Sequence, residues 1–161
     1  MISAESLRQR AGAARERLRA IPATGRGEFG APDPETGERW NRGNVLGHIA
    51  EMLAFWTDQS RAAVGGQATV GRGEPGYARR REGIERGDVV EEAALRASIE
   101  GSLGDLDRLL SGLPPDALTI PLVYRRQDGE RHLSLGEFID QFLVGHLEEH
   151  LVQLEELTQP G

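Results

Sequence analysis

The sequence contains no cysteine and no lysine. Without cysteine there can be no disulfide, no thiolate-held zinc knuckle and no cysteine nucleophile, so any metal must be held by imidazole, carboxylate or water. Without lysine all 19 basic side chains are arginine, a bias expected of a G+C-rich coding sequence. Long apolar runs are missing too. No stretch approaches the roughly 20 apolar residues that a membrane span needs, and Met1 to Glu5 lacks the basic and then apolar order of a secretory signal. No membrane partner is expected, and the expected location is the cytoplasm. Positive charge is short: 19 basic against 26 acidic residues give a net charge of -7. Binding nucleic acid draws on a dense basic surface, so no nucleic-acid partner is expected.

What is present suits one folded domain. The chain of 161 residues is 38% hydrophobic and 28% charged, enough to build one core over residues 1–161 without stapling. Leu7, Ala11, Ala14, Leu18 and Ile21 recur at helical spacing and predict a first helix from Ser3 to Ile21. Glycines and prolines between Pro22 and Arg39 predict a surface loop. Asn41 is a good N-cap for a second helix, which carries Val45, Leu46, Ile49, Met52, Leu53 and Trp56 and ends at Gly65-Gly66.

Residues 65–87 hold seven glycines and the run Arg79-Arg80-Arg81. They predict a second long connection with one short helical turn around Tyr77. The arginines read first as a solvated charge run, and otherwise as candidates for recognising an acidic substrate if the loop covers a site. Asp88 and Glu91 have capping-box spacing ahead of a third helix that runs to Gly112. Gly101 and Gly104 within it suggest close approach to a neighbour or a local bend. Leu118 to Tyr124 and Arg131 to Leu133 flank Asp128-Gly129 and predict a small hairpin. Ser134 and Glu137 repeat the capping-box spacing before the clearest helix, Leu135 to about Leu157.

Three of the four histidines fall on core-facing helical positions. His146 and His150 lie about 40° apart around their helix and one turn apart along it, on the face of Ile139, Phe142, Leu143 and Leu154. His48 follows Val45 by three residues and precedes Met52 by four on the second helix. A single histidine on an apolar face is more often a hydrogen-bonded core residue. Two buried imidazoles side by side need more explanation, because each carries a polar nitrogen and mutual protonation is costly. A metal resolves both problems. His132, beside Arg131 at the hairpin, projects into solvent, and Trp40 and Trp56 anchor the second helix in the core.

These segments resemble the DinB/YfiT-like family, which includes thiol-dependent S-transferases and the N-terminal domain of mycothiol-dependent maleylpyruvate isomerases. The matching residues are Trp40 with Asn44 through Glu51, which contains His48, and Phe138 through Glu155, which contains His146 and His150. The resemblance implies an all-α four-helix bundle of up-down-down-up type with long interhelical loops. It implies a homodimer and a divalent ion, zinc or nickel, on His48, His146 and His150. The chain ends at Gly161, leaving no room for the isomerases' second domain, so isomerase activity is not expected.

Three neutral imidazoles leave at least one position open on a metal, as in catalytic sites. A bound water or low-molecular-weight thiol there would be deprotonated near neutrality. The expected activity is therefore an S-transferase or hydrolase acting on a small-molecule substrate. Glu51 and Glu149 are candidate partners for the outer imidazole nitrogens. Two alternatives stay open: a non-catalytic module that binds a metal or small molecule in a stress response, and histidines that are simply packed with no metal.

Overall fold

Ser3 starts the first helix by accepting a 3.1 Å hydrogen bond from the Ser6 amide, which satisfies one of the free donors of the opening turn. The computed structural model describes residues 1–160. In it α1 (Ala4–Ala20) buries Leu7, Ala11, Ala14 and Leu18. Asn41 and Asn44 cap α2 (Arg42–Val64) reciprocally, each side-chain oxygen accepting from the other's amide at 2.9 and 3.0 Å. Helix α2 packs against α3 (Gly73–Arg86), α4 (Glu92–Ser111) and the last helix, and so runs through the middle of the molecule. Nearly its whole circumference is buried from Arg42 to Ile49. A polar side chain in that stretch must find its partners inside the protein.

The chain is mostly helical but not all-α. The strands β1 (Thr69–Gly71), β2 (Pro121–Arg126) and β3 (Gly129–Ser134) form one sheet in the order β1-β2-β3. The expected hairpin is β2 with β3, in a register that sets Tyr124 opposite Arg131. Strand β1 joins β2 in parallel and was hidden in the glycine-rich stretch after α2. The same stretch holds α3, fourteen residues long, where the sequence predicts a connection with a single turn.

Glycines there serve both turns, as at Gly66 and Gly73 with positive φ, and packing, as at Gly83 and Gly87. Gly43 and Gly47 on α2 face Gly87 and Gly83 at the end of α3, so closely that a Cβ on any of the four would collide with the opposite chain. Only glycine admits that approach. Gly101 and Gly104, by contrast, have open space or only distant arginine tips around them, so close approach to a neighbour is not their role. Helix α4 also starts later than its capping-box spacing predicts. Asp88 accepts a 3.0 Å hydrogen bond from the Asn44 side chain instead of capping, and Val89 is exposed.

Ser134 and Glu137 do form the expected capping box. The helix they open is continuous but uneven: α5 (Leu135–Ile139), a π-helical turn (Asp140–Gly145) and α6 (His146–Thr158). The wider turn brings the Asp140 carbonyl within 2.7 Å of where a Cβ on Gly145 would stand. Such single π turns inside helices recur at functional sites, and this one ends where His146 begins.

Candidate metal centre

His48 sits on the fully buried part of α2 and is 3% exposed. Helix α6 brings His146 and His150 against it from the other side. The Nε2 atom of His48 lies 3.3 Å from Nε2 of His146, which lies 3.1 Å from Nε2 of His150. The ligand atoms of all three fall within 4.8 Å of one another. The rings meet nearly edge to face, and Trp40 closes one side, stacked on His150 at 5.7 Å and tilted against His48 at 5.0 Å.

Protons on the outer nitrogens decide what faces the centre. Nδ1 of His150 donates to the Gln153 side-chain oxygen at 2.9 Å, and Nδ1 of His146 points to a Glu149 oxygen at 3.5 Å. An imidazole with its proton on Nδ1 presents a bare lone pair on Nε2, so His150 aims a lone pair at Nε2 of His146 across 3.1 Å. His48 can give a proton to only one neighbouring imidazole through Nε2, and its own buried Nδ1 has no partner among the described residues. Protonation does not relieve the crowding. Burial, ahead of the neighbouring imidazoles, holds His48 well below its ordinary value. Burial, followed by the nearby charges of Arg72 and Arg80 for His146 and of His146 for His150, lowers both to about 4. Three neutral imidazoles with converging nitrogens are a donor set for a divalent cation.

Two cavities reach the cluster. The larger, about 600 Å³, runs from His48 and His146 toward Trp56, Phe142, Tyr124 and Arg131. The smaller, about 380 Å³, lies beneath residues 31–36 and touches all three histidines and Gln153. Arg80 borders both, held by two hydrogen bonds to Glu38 at 2.9 and 3.1 Å and lying over the Trp40 ring.

The other residues singled out in the sequence are placed as follows. Glu51 does not partner His48: it faces α3, where its two oxygens accept from Arg72 at 2.8 and 2.9 Å, a forked match that a single imidazole N–H cannot equal. Glu149 turns to His146 rather than to its neighbour His150. His132 is exposed on β3, as expected. Of the arginine run, Arg80 reaches the cavities, Arg79 lies over Phe55 and 3.9 Å from Glu51, and Arg81 is exposed. Gln153 and Arg72 were not anticipated. Gln153 carries a readable signal, three residues past His150, whereas Arg72 lies in a helix end that the sequence disguised.

The sequence matches the family model of the DinB superfamily over residues 3–154. No curated protein matches it. Among solved structures, the colibactin self-resistance protein ClbS in complex with double-stranded DNA superposes with a TM-score of 0.71 at 14% identity, covering 98% of this chain and 96% of that one. A mutant of mycothiol-dependent maleylpyruvate isomerase superposes with a TM-score of 0.68 at 20% identity, covering 96% of this chain and 63% of that one. This chain thus spans less than two thirds of the isomerase. The expectation of no nucleic-acid partner is overturned by the first likeness, since a protein of this fold is seen with DNA. Net charge sums over a whole surface, whereas a phosphate backbone meets one local patch, so the total of -7 was the wrong quantity.

Proposed function

Since the chain belongs to the DinB superfamily, we propose that its long helices form a DinB-type four-helix bundle holding one divalent ion, zinc or nickel, on His48, His146 and His150. The protein is an enzyme that activates water or a small thiol there, of hydrolase or S-transferase type. The observation that carries this reading is the convergence of three Nε2 atoms, with neighbours 3.1 and 3.3 Å apart, in a neutral, buried cluster. Spacing supports it. Ligand nitrogens about 2.0–2.1 Å from a metal stand roughly 3.0 Å apart in octahedral and roughly 3.3 Å apart in tetrahedral arrangement; two of the three pairs here stand at 3.1 and 3.3 Å, and the third falls within 4.8 Å.

When bound, the ion supplies a lowered pKa for a coordinated water or thiol. The protein's own residues do the rest. Gln153 holds the proton of His150 outward, so that its inner nitrogen stays free to ligate, and a Glu149 oxygen lies 3.5 Å from Nδ1 of His146. Trp40 shields two of the three imidazoles on one side. The two cavities let two molecules approach the same histidines from different directions, which favours transfer between two reactants over hydrolysis of one. The mycothiol-dependent relative of the same fold supports a thiol as one of them.

Elemental analysis of untagged protein beside His146→Ala tests the site. The expected result is close to one divalent ion per chain, lost in the variant. Metal-free protein after incubation with zinc or nickel would leave the histidines as packed core residues and remove the catalytic reading. A metal-loaded protein that is stabilised by ligands yet turns over no thiol-acceptor pair would instead be a binding module.

A further inference from the structure

The larger cavity has two unlike ends. At one end stand His48 and His146. At the other, Arg131 and Tyr124 lie directly opposite each other on β3 and β2. Between them the floor is aromatic: Phe142 sits 4.4 Å from Tyr124 and 6.3 Å from Trp56, ring centre to ring centre. Phe142 also lies one helical turn before His146 in the π turn, so the floor leads straight to the histidines.

Four arginines line this cavity, and three are neutralised within the protein. Arg72 is paired with Glu51, Arg80 with Glu38, and Arg10 with Asp140 and Glu148. Arg131 differs. Its guanidinium donates at 3.2 Å to the neutral Gln141 side chain and lies over the Phe142 ring, 6.0 Å from its centre, with no carboxylate paired to it among the described residues. A guanidinium left without an anion beside an apolar floor is the arrangement that recognises a carboxylate on a flat molecule. Tyr124 stands beside it, and burial raises its pKa, so its hydroxyl stays protonated at neutral pH and can donate.

We propose that the hairpin end of the larger cavity is a carboxylate subsite: Arg131, with the Tyr124 hydroxyl beside it, holds the carboxylate of an aryl or alkenyl substrate whose flat body lies on Phe142 and Trp56. The reactive carbon is thereby presented to the histidine cluster. This gives the metal-site reading its substrate class and rests on that reading for the chemistry, while the binding itself does not need the ion.

Benzoate and its neutral analogue benzyl alcohol are suitable probes, with dissociation constants measured by ligand-observed NMR or calorimetry. Benzoate is expected to bind at least about tenfold tighter to the wild-type protein. Arg131→Ala should erase that preference while leaving benzyl alcohol binding unchanged, and Arg131→Lys should restore part of it. The exposed Arg81→Ala serves as a charge control and should change neither. The preference should persist in the metal-free His146→Ala protein. Equal binding of the two probes, a preference that survives Arg131→Ala, or one that exists only with metal bound would each overturn the subsite. Absence of metal from the wild-type protein would overturn the catalytic reading alone.

Discussion

Among the polar groups that helix α2 buries, two are treated in opposite ways. Arg42, 1% exposed, has a partner for each nitrogen of its guanidinium: Glu92 at 3.0 and 3.1 Å, Thr158 at 2.8 Å, the Pro22 carbonyl at 2.7 Å and the Gly25 carbonyl. It ties the loop after α1 to the start of α4 and the end of α6. Further along, His48 is 3% exposed, yet its Nδ1 has no partner and its Nε2 faces two other imidazoles. The first cluster is complete as folded, which is the mark of a structural device. The second is unfinished, and the proposed cation would complete it.

The widest gap between the two clusters should appear in acid. In metal-free protein the three histidines are held neutral, with His146 and His150 at about 4, while in the unfolded chain they titrate near 6.5. Between those values the unfolded state binds more protons. Stability is thus fully present above about pH 6.5 and is lost as pH falls toward 4, by about 4 kcal/mol after discounting the partial exposure of His146 and His150. Urea titrations across that range check it, and a flat profile above pH 5 would contradict the buried neutral cluster.

Arg42→Met attacks the finished cluster and should cost about 3 kcal/mol of unfolding free energy, because it leaves a largely buried Glu92 with only Arg96 and the Gly25 amide as partners. Metal content should be unchanged. A variant as stable as wild type would show that the network around Arg42 contributes specificity rather than stability. Gly47→Ala forces α2 and α3 apart where Gly83 approaches. It should cost about 2 kcal/mol by overpacking, read from the urea midpoint. Smallest is Gln153→Leu, which removes the acceptor for His150 Nδ1. Metal affinity should fall about tenfold with little change in stability, and an unchanged affinity in competition with a chelator would count against Gln153 as an orienting residue.

The histidine triad was readable because its spacing obeys helix geometry. A four-residue separation puts His146 and His150 on one face in any α-helix, and the apolar neighbours of His48 show that it points inward. Both capping residues of the long helices, Asn41 and Ser134, were readable for the same local reason. Asp88 was not, because its spacing also suits a side chain that hydrogen-bonds to Asn44 on another helix. Helix α3 was missed outright. Local propensity counts Gly73, Gly76 and Gly83 as breakers, and only contact with α2 makes glycine at Gly83 and Gly87 an advantage. The π turn before His146 leaves no periodicity signal, since it adds one residue to a pattern that tolerates drift.

The sequence by itself determined the mostly helical class, the hairpin and the three histidines, since each follows from interactions between residues a few positions apart. Tertiary structure alone decided that Glu51 serves Arg72 rather than His48, that Arg80 stands between two cavities, and that Arg131 keeps its charge unpaired beside an aromatic floor. Which charges cancel depends on groups brought together across the fold, and no spacing along the chain encodes those distances.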